Sequence, residues 1–232
     1  MADVYKNRRT AVILIVTVLL SFVLFLLRNQ DSAPKQNTPK TTQIVGLNAI
    51  ESLDKLEIRE KTRHEDYKRE YFGDGWGEIN GCDTRNVILF RDLRNIETDG
   101  KCMVLAGELL DPYTAVKIQF KRGKDSSKEV QIDHVVALSD AWIKGADHLS
   151  KESRVKFAND PLELLAVSGS SNQKKSGSDA SEWLPENVDF RCEYVARQIA
   201  IKIKYKLFVS GKEKYTMSSV LNNCKEQKLP AI

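Results

Sequence analysis

This chain of 232 residues has little excess of positive charge, only three histidines and no closely spaced pair of cysteines. The formal net charge is only +4, and three of the cations lie within the first nine residues. A protein that coats nucleic acid non-specifically needs a larger excess of Lys and Arg, so any such binding must depend on local clusters. The chain has no Cys-x-x-Cys spacing, which argues against a structural zinc site.

Long apolar runs are also absent, with one exception near the N-terminus. Residues 11–27 are 17 residues without a charge, and they follow Lys6, Arg8 and Arg9. This length lies between that of a signal peptide and that of a full membrane span. No small-x-small cleavage site follows, so we predict that residues 1–28 form an uncleaved signal anchor or transmembrane segment. Cleavage, giving a secreted protein, is the alternative, and both place the rest of the chain outside the cytoplasm.

The domain that follows is expected to carry two disulfide bonds. Residues 29–43 are rich in Asn, Gln, Ser, Thr, Pro and Lys, which predicts a flexible linker and a folded domain over residues 44–232. An even number of cysteines in an oxidising compartment favours disulfides. Three pairings are possible, and we predict the two local ones, Cys82–Cys102 and Cys192–Cys224.

Periodicity along this domain predicts a mixture of strands and helices, and hence an α+β fold. Alternating or short apolar runs predict strands over residues 102–109, 113–120, 130–136 and 162–167. Helical spacing predicts helices over residues 138–143, 153–158, 179–183, 190–208 and 217–224. A Gly/Ser-rich loop is expected over residues 168–177, and the charge-rich residues 59–70 are expected to form a solvated helix or turn.

Candidate chemistry lies at the end of the strand predicted over residues 130–136. Asp133 and His134 are adjacent there, and Asn172 follows in the Gly/Ser-rich loop. A neutral imidazole can take a proton from water, while carboxylate and amide oxygens are ligands that Mg²⁺ accepts. Because neighbouring side chains on a regular strand face opposite ways, both can reach one cleft only at a bulge or at the strand's end. The structural alternative is a turn role for Asn172.

The wider sequence closely resembles the HNH endonuclease family. It is most similar to the branch found in secreted actinobacterial nucleases and at the C-terminus of GmrSD-type restriction enzymes. The resemblance spans roughly residues 65–224 and is carried mainly by four motifs, Ile132–Trp142, Phe157–Leu162, Asn172–Lys175 and Ser178–Pro185. Further similar stretches are Gly81–Asn86, Arg91–Leu93, Asp111–Thr114 and Arg191–Gln198.

This resemblance implies a ββα-metal (HNH) core with additional helices, which hydrolyses DNA, or alternatively RNA, with Mg²⁺ or Mn²⁺. His134 would be the general base, Asp133 and Asn172 the metal ligands, and Lys175 a further catalytic residue that contacts phosphate. Glu163 stands where the family has an Asn that braces the histidine loop, and Asn159 is a possible substitute with a stronger claim as a turn or cap residue.

Four further cations are candidate nucleic-acid contacts, and each also has a purely structural interpretation. They are Arg85, Lys174, Arg191 and Arg197. A salt bridge or a solvated helix face would explain each of them equally well. Because Glu163 departs from the family pattern, the alternative function is a catalytically weak or inactive membrane-tethered nucleic-acid-binding module. A disulfide-stabilised surface domain that serves a protein partner is a third hypothesis, although no protein partner is predicted.

Overall fold

The computed structural model describes residues 46–61, 66–123 and 128–230. The predicted anchor at residues 1–28 and the linker at residues 29–43 lie outside this part of the chain. Within the described ranges, every helix is too short or too polar to cross a membrane.

The N-terminal part of the domain contains short elements, and its two α-helices begin at side-chain caps. Helix α1 is Ala49–Leu53, and a 3₁₀ turn covers Arg69–Phe72. Strands β1 (Glu78–Ile79) and β2 (Cys82–Asp83) form a small antiparallel hairpin. The Asp83 carboxylate accepts a hydrogen bond from the Asn86 backbone N–H at 3.1 Å, which starts helix α2 (Thr84–Asp92).

A three-stranded antiparallel sheet follows, in the order β3 (Arg94–Thr98), β4 (Val104–Leu110) and β5 (Lys117–Lys121). The two strands predicted in this region are present, but β5 begins four residues later than expected. Residues 111–114 form a turn instead, because the buried Asp111 carboxylate accepts from Thr114 Oγ1 at 2.6 Å and from the Ser168 backbone N–H at 2.9 Å. The sequence analysis missed β3.

Strands β6 (Val130–His134) and β7 (Leu164–Ser168) form a separate antiparallel pair. Helices α3 (Leu138–Ile143) and α4 (Lys151–Ala158) lie between them in the chain, and helix α5 (Gly169–Lys175) follows β7 directly. The predicted loop over residues 168–177 is therefore wrong, since most of it is helical. The pair is buried on both faces: Ile132 and Ala166 belong to one hydrophobic core, and Leu165 and Val167 belong to the other.

The C-terminal part is helical and is closed by a disulfide. Helix α6 is Arg191–Tyr205 and helix α7 is Gly211–Leu221. The helix predicted at residues 179–183 is wrong, because the Asp179 carboxylate accepts from the Ser181 backbone N–H and hydroxyl at 2.8 and 2.6 Å and holds a turn. Both predicted disulfide bonds, Cys82–Cys102 and Cys192–Cys224, are present. The α+β fold class is confirmed.

A candidate active-site cleft at the end of strand β6

Asp133 and His134 line one cavity because they are the last two residues of strand β6. The strand ends at His134, before the next helix begins at Leu138. The β6–β7 pair runs in continuous register up to His134, opposite Leu164. At this end the two side chains line a common cavity of about 290 Å³, which also reaches Asn172 on α5 and Arg69 on the 3₁₀ turn. We call this space the polar cavity. The end of the strand, rather than a bulge, brings the adjacent residues to one cleft.

The His134 ring is held in one orientation by contacts on its edge and on its face. Its Nε2 lies 3.0 Å from the Ala158 carbonyl oxygen, and the Trp76 indole stacks on it with centroids 5.7 Å apart and planes 9° apart. A carbonyl only accepts, so Nε2 carries the proton and Nδ1 keeps its lone pair. Burial lowers the pKa of His134 to about 3. The ring is therefore neutral at physiological pH.

Asp133 is anchored by two donors from separate parts of the chain. One carboxylate oxygen accepts from the Lys175 ammonium at 3.0 Å, and the other accepts from the Tyr113 hydroxyl. Burial raises the pKa of Asp133, while the Lys175 charge and the Tyr113 hydrogen bond oppose that rise. Each carboxylate oxygen has two acceptor sites, so each oxygen of Asp133 keeps one beyond these hydrogen bonds.

The position of Lys175 does not fit the phosphate contact expected from the sequence. Its side chain is completely buried, and its ammonium also donates to the His134 carbonyl oxygen at 2.8 Å. It lies beneath the site, where it compensates the charge of Asp133 and fixes the backbone of His134. Lys175 is thus not among the residues that line the polar cavity.

Asn172 presents an amide oxygen at the same cavity. Its Nδ2 donates to Gln131 Oε1 at 2.8 Å, which fixes the orientation of the amide. Among the described residues, no donor reaches its Oδ1. No cluster of three or more His, Cys, Asp or Glu capable of holding a metal is found in the described ranges. The carboxylate of Asp133 and the amide of Asn172 are of the ligand types that Mg²⁺ accepts, since this ion takes a few oxygen ligands and keeps several waters.

Glu163 braces the histidine loop by accepting hydrogen bonds instead of donating them. Its carboxylate oxygens lie 3.1 and 3.3 Å from the Val136 backbone nitrogen, and its own carbonyl accepts from the Val135 N–H at 2.8 Å. Burial raises the pKa of Glu163 well above its ordinary value, against the opposing effects of Lys175 and the Val136 N–H. The departure from the family pattern therefore keeps a brace on the same loop.

Asn159 supports the cleft from outside it. It caps the C-terminus of α4, where its Nδ2 donates to the Val155 carbonyl at 3.0 Å. Its Oδ1 accepts from the Gly77 backbone N–H at 2.7 Å. This contact fixes the loop that carries Trp76, so Asn159 acts on His134 only through the loop.

The four predicted nucleic-acid contacts lie apart from the residues that line the polar cavity. Three of them donate to backbone carbonyls: Arg85 to Val130 at 3.2 Å, Arg191 to Pro185 at 2.7 Å and Arg197 to Leu162 at 3.2 Å. Lys174 pairs with Glu186 on the surface at 3.0 Å. In the structure these three arginines join separate segments of the chain through hydrogen bonds to backbone carbonyls.

Sequence reasoning missed three residues that shape the cleft: Arg69, Trp76 and Tyr113. Arg69 is exposed, lines the polar cavity and has no ion-pair partner among the described residues. It lies in the charge-rich stretch, where nothing in the sequence distinguishes it from its neighbours. Tyr113 did carry a signal, because it belongs to the Asp111–Thr114 motif, whose turn aims the hydroxyl at Asp133.

Comparison with known proteins places most of this site within one family match. The family described as GmrSD restriction endonucleases, C-terminal domain, matches residues 83–220. An uncharacterized secreted protein of the fungus Arthroderma benhamiae is 34% identical over 175 residues, covering 74% of this chain and 82% of that protein. No solved structure matches the chain. The match contains Asp133, His134, Glu163 and Asn172, whereas Arg69 and Trp76 precede it.

Proposed function

The chain belongs to the family of GmrSD restriction endonuclease C-terminal domains, and we propose that it is a metal-dependent endonuclease of the HNH type. The observation that carries the proposal is the single polar cavity that gathers Asp133, His134 and Asn172. The arrangement of β6, β7 and α5 in space supports a ββα-metal core, with the histidine on the first strand and the asparagine on the helix.

In this mechanism the chain prepares a water molecule for attack on a phosphodiester. Nδ1 of the neutral His134 accepts the proton of the water, while Ala158 and Trp76 hold the ring. Asp133 and Asn172 would hold the divalent ion, which supplies positive charge for the oxygens where negative charge develops. Lys175, Tyr113 and Glu163 keep these groups in place.

Arg69 takes the role of the phosphate contact that the sequence analysis assigned to Lys175. Its guanidinium has no competing carboxylate among the described residues, and it borders the cavity that contains His134. A guanidinium can donate two parallel hydrogen bonds to phosphate oxygens. In this role it orients the scissile phosphate toward the water activated by His134.

The substrate class is nucleic acid, and DNA is the primary substrate proposed. The fungal relative is named as a secreted protein. Together with the apolar run at residues 11–27, this supports action outside the cytoplasm, where cleavage spares the host genome. Secretion and anchoring at the membrane by residues 1–28 are the two routes to this location.

The direct test is cleavage of supercoiled plasmid by the full-length chain in Mg²⁺, with and without chelator. We expect cleavage that chelation stops and that His134→Ala reduces by at least about 100-fold, since general-base catalysis contributes this much. His148→Ala is the matched control, because that imidazole is exposed and lies beside Asp147 at 3.6 Å, away from the cleft. Plasmid binding without cleavage by the unaltered chain would favour the inactive binding module.

A further inference from the structure

A second cavity lies next to the polar cavity and shares a wall with it. Its volume is about 260 Å³, and Arg69, His134 and Leu138 border both spaces. The remaining wall is formed by Phe72, Gly73, Gly75, Trp76 and Ala158. We call this space the aromatic cavity, because Phe72 and Trp76 are among the residues that line it. A group bound there would sit directly beside whatever the polar cavity holds.

The loop that forms this wall is firmly held, although it lies outside the family match over residues 83–220. Asn159 accepts from the Gly77 N–H at 2.7 Å, and Arg154 donates to the Tyr71 carbonyl at 2.9 Å. Gly73 and Gly75 have φ values of +112° and +123°, which side chains rarely adopt. Arg69, Phe72, Gly73, Gly75 and Trp76 thus lie outside the family match, whereas His134, Leu138 and Ala158 lie within it.

From this arrangement we infer that the aromatic cavity is a nucleoside subsite, which takes the base next to the scissile phosphate. The inference rests on the proposed function and adds to it the form of the substrate. In a nucleotide chain a phosphate is joined through one sugar to a planar base, whose faces stack on aromatic rings. The polar cavity with Arg69 suits the phosphate, and the adjoining aromatic rings suit the base.

The size of the cavity also determines which kind of nucleic acid fits. Its volume of about 260 Å³ lies below the range of roughly 300–1,000 Å³ for pockets that take drug-sized ligands. It therefore accommodates one base and excludes a stacked base pair. The base must leave the stack to enter, so single-stranded or distorted sites are the preferred substrates.

The test compares two single-stranded oligonucleotides that differ by one base. One is intact, and the other has a stable abasic sugar at a single position. The full-length chain is incubated with each in Mg²⁺, and cleavage is measured at the bonds that flank that position. We expect about tenfold slower cleavage beside the abasic sugar, because contact of a base with aromatic side chains is lost.

Two variants separate base recognition from catalysis. Trp76→Ala should bring the intact-to-abasic rate ratio close to one, and Trp76→Phe should give an intermediate ratio. Any effect of either change on His134 slows both oligonucleotides and cancels in the ratio. Arg69→Gln should slow both equally, because the phosphate is present in both.

The outcomes distinguish the two proposals. Equal cleavage of both oligonucleotides by the unaltered chain overturns the nucleoside subsite and leaves the nuclease intact. A rate ratio that is unchanged in Trp76→Ala also overturns it. If the unaltered chain cuts neither oligonucleotide and does not cut plasmid, the proposed nuclease and the subsite are overturned together.

Discussion

At the scale of single residues, the exchange of the family's Asn for Glu163 changes the chemistry of the brace without removing it. The loop after His134 presents two backbone N–H groups, from Val135 and Val136, and both are satisfied by Glu163. A buried N–H that loses its acceptor costs more than an ordinary hydrogen bond contributes. What this position requires is therefore an acceptor oxygen at the correct distance, which Asn, Gln and Glu can each supply.

Two substitutions at Glu163 test this requirement. Glu163→Gln keeps an acceptor for the Val136 N–H and mimics the neutral acid that burial favours, so we expect stability within about 1 kcal/mol of the original and retained cleavage. Glu163→Ala orphans the N–H, and we expect a loss of about 1–3 kcal/mol together with slower cleavage. Urea unfolding and plasmid cleavage measure both. An Ala variant as stable and active as the Gln variant would contradict the brace.

At the scale of elements, a buried ionic cluster joins the helix after the histidine loop to the C-terminal helices. Lys144, at the C-terminus of α3, lies 2.7 Å from Asp140, 2.8 Å from Asp179 and 2.7 Å from Glu213 on α7. Lys202 on α6 pairs with Glu213 at 3.1 Å. All five side chains are almost completely buried. The cluster thus ties α3, α6 and α7 together within a few residues of the cleft.

Removal of one cation from this cluster should be costly. Lys144→Met leaves three buried carboxylates with one fewer partner, and we expect a loss of about 3–5 kcal/mol in the free energy of unfolding. Lys156→Met is the matched control, because Lys156 pairs with Glu152 on an exposed helix face at 2.7 Å and should contribute less than about 1 kcal/mol. If both variants lost the same free energy of unfolding in urea, the buried cluster would contribute no more to stability than the exposed pair.

At the scale of the whole molecule, two hydrophobic cores meet at the β6–β7 pair, and disulfides secure both sides. Cys82–Cys102 joins strand β2 to the segment before β4, and Cys192–Cys224 joins α6 to the residues after α7. The cleft opens at the end of the strand pair that both cores share. Its geometry therefore depends on the packing of the entire domain, and disturbances far from His134 can reach it.

The acid stability of the molecule should report on the ionic cluster. Burial alone would raise the pKa of Asp179, but the Lys144 ammonium together with the hydrogen bonds from Ser181 and Lys61 outweighs burial and holds that pKa well below its ordinary value. Below about pH 4 the unfolded chain takes up a proton at this residue that the folded chain refuses, so folding stability falls as the pH drops. Disulfides persist in acid, so the change reflects charge.

Asp179→Asn provides the comparison. We expect the variant to be less stable than the original at pH 7, with a difference that shrinks as the pH is lowered from 5 toward 2.5. Urea unfolding at several pH values measures this difference. Glu152→Gln, which alters an exposed pair, should change stability little at any pH. A difference for Asp179→Asn that stays constant with pH would refute the linkage.

The sequence alone determined those features that depend on local chemistry. Alternating apolar residues placed β4 and β6, helical spacing placed α6, and the even cysteine count with local spacing gave both disulfides. The Asp133–His134 pair and Asn172 were identifiable because their chemistry is carried by residue type and by motif. The turn at residues 179–183 was misread as helical because side-chain hydrogen bonds from Asp179 compete with the helix.

Only the tertiary structure decided which cations face the cleft. The sequence favoured Lys175 over Arg69 as the cation of the cleft, yet Lys175 is buried against Asp133 and Arg69 lines the polar cavity. The reason is physical: a side chain's partner is set by which distant segments pack together, and composition carries no record of that. Trp76 reaches His134 across 58 positions of sequence for the same reason, through a loop that Asn159 holds in place.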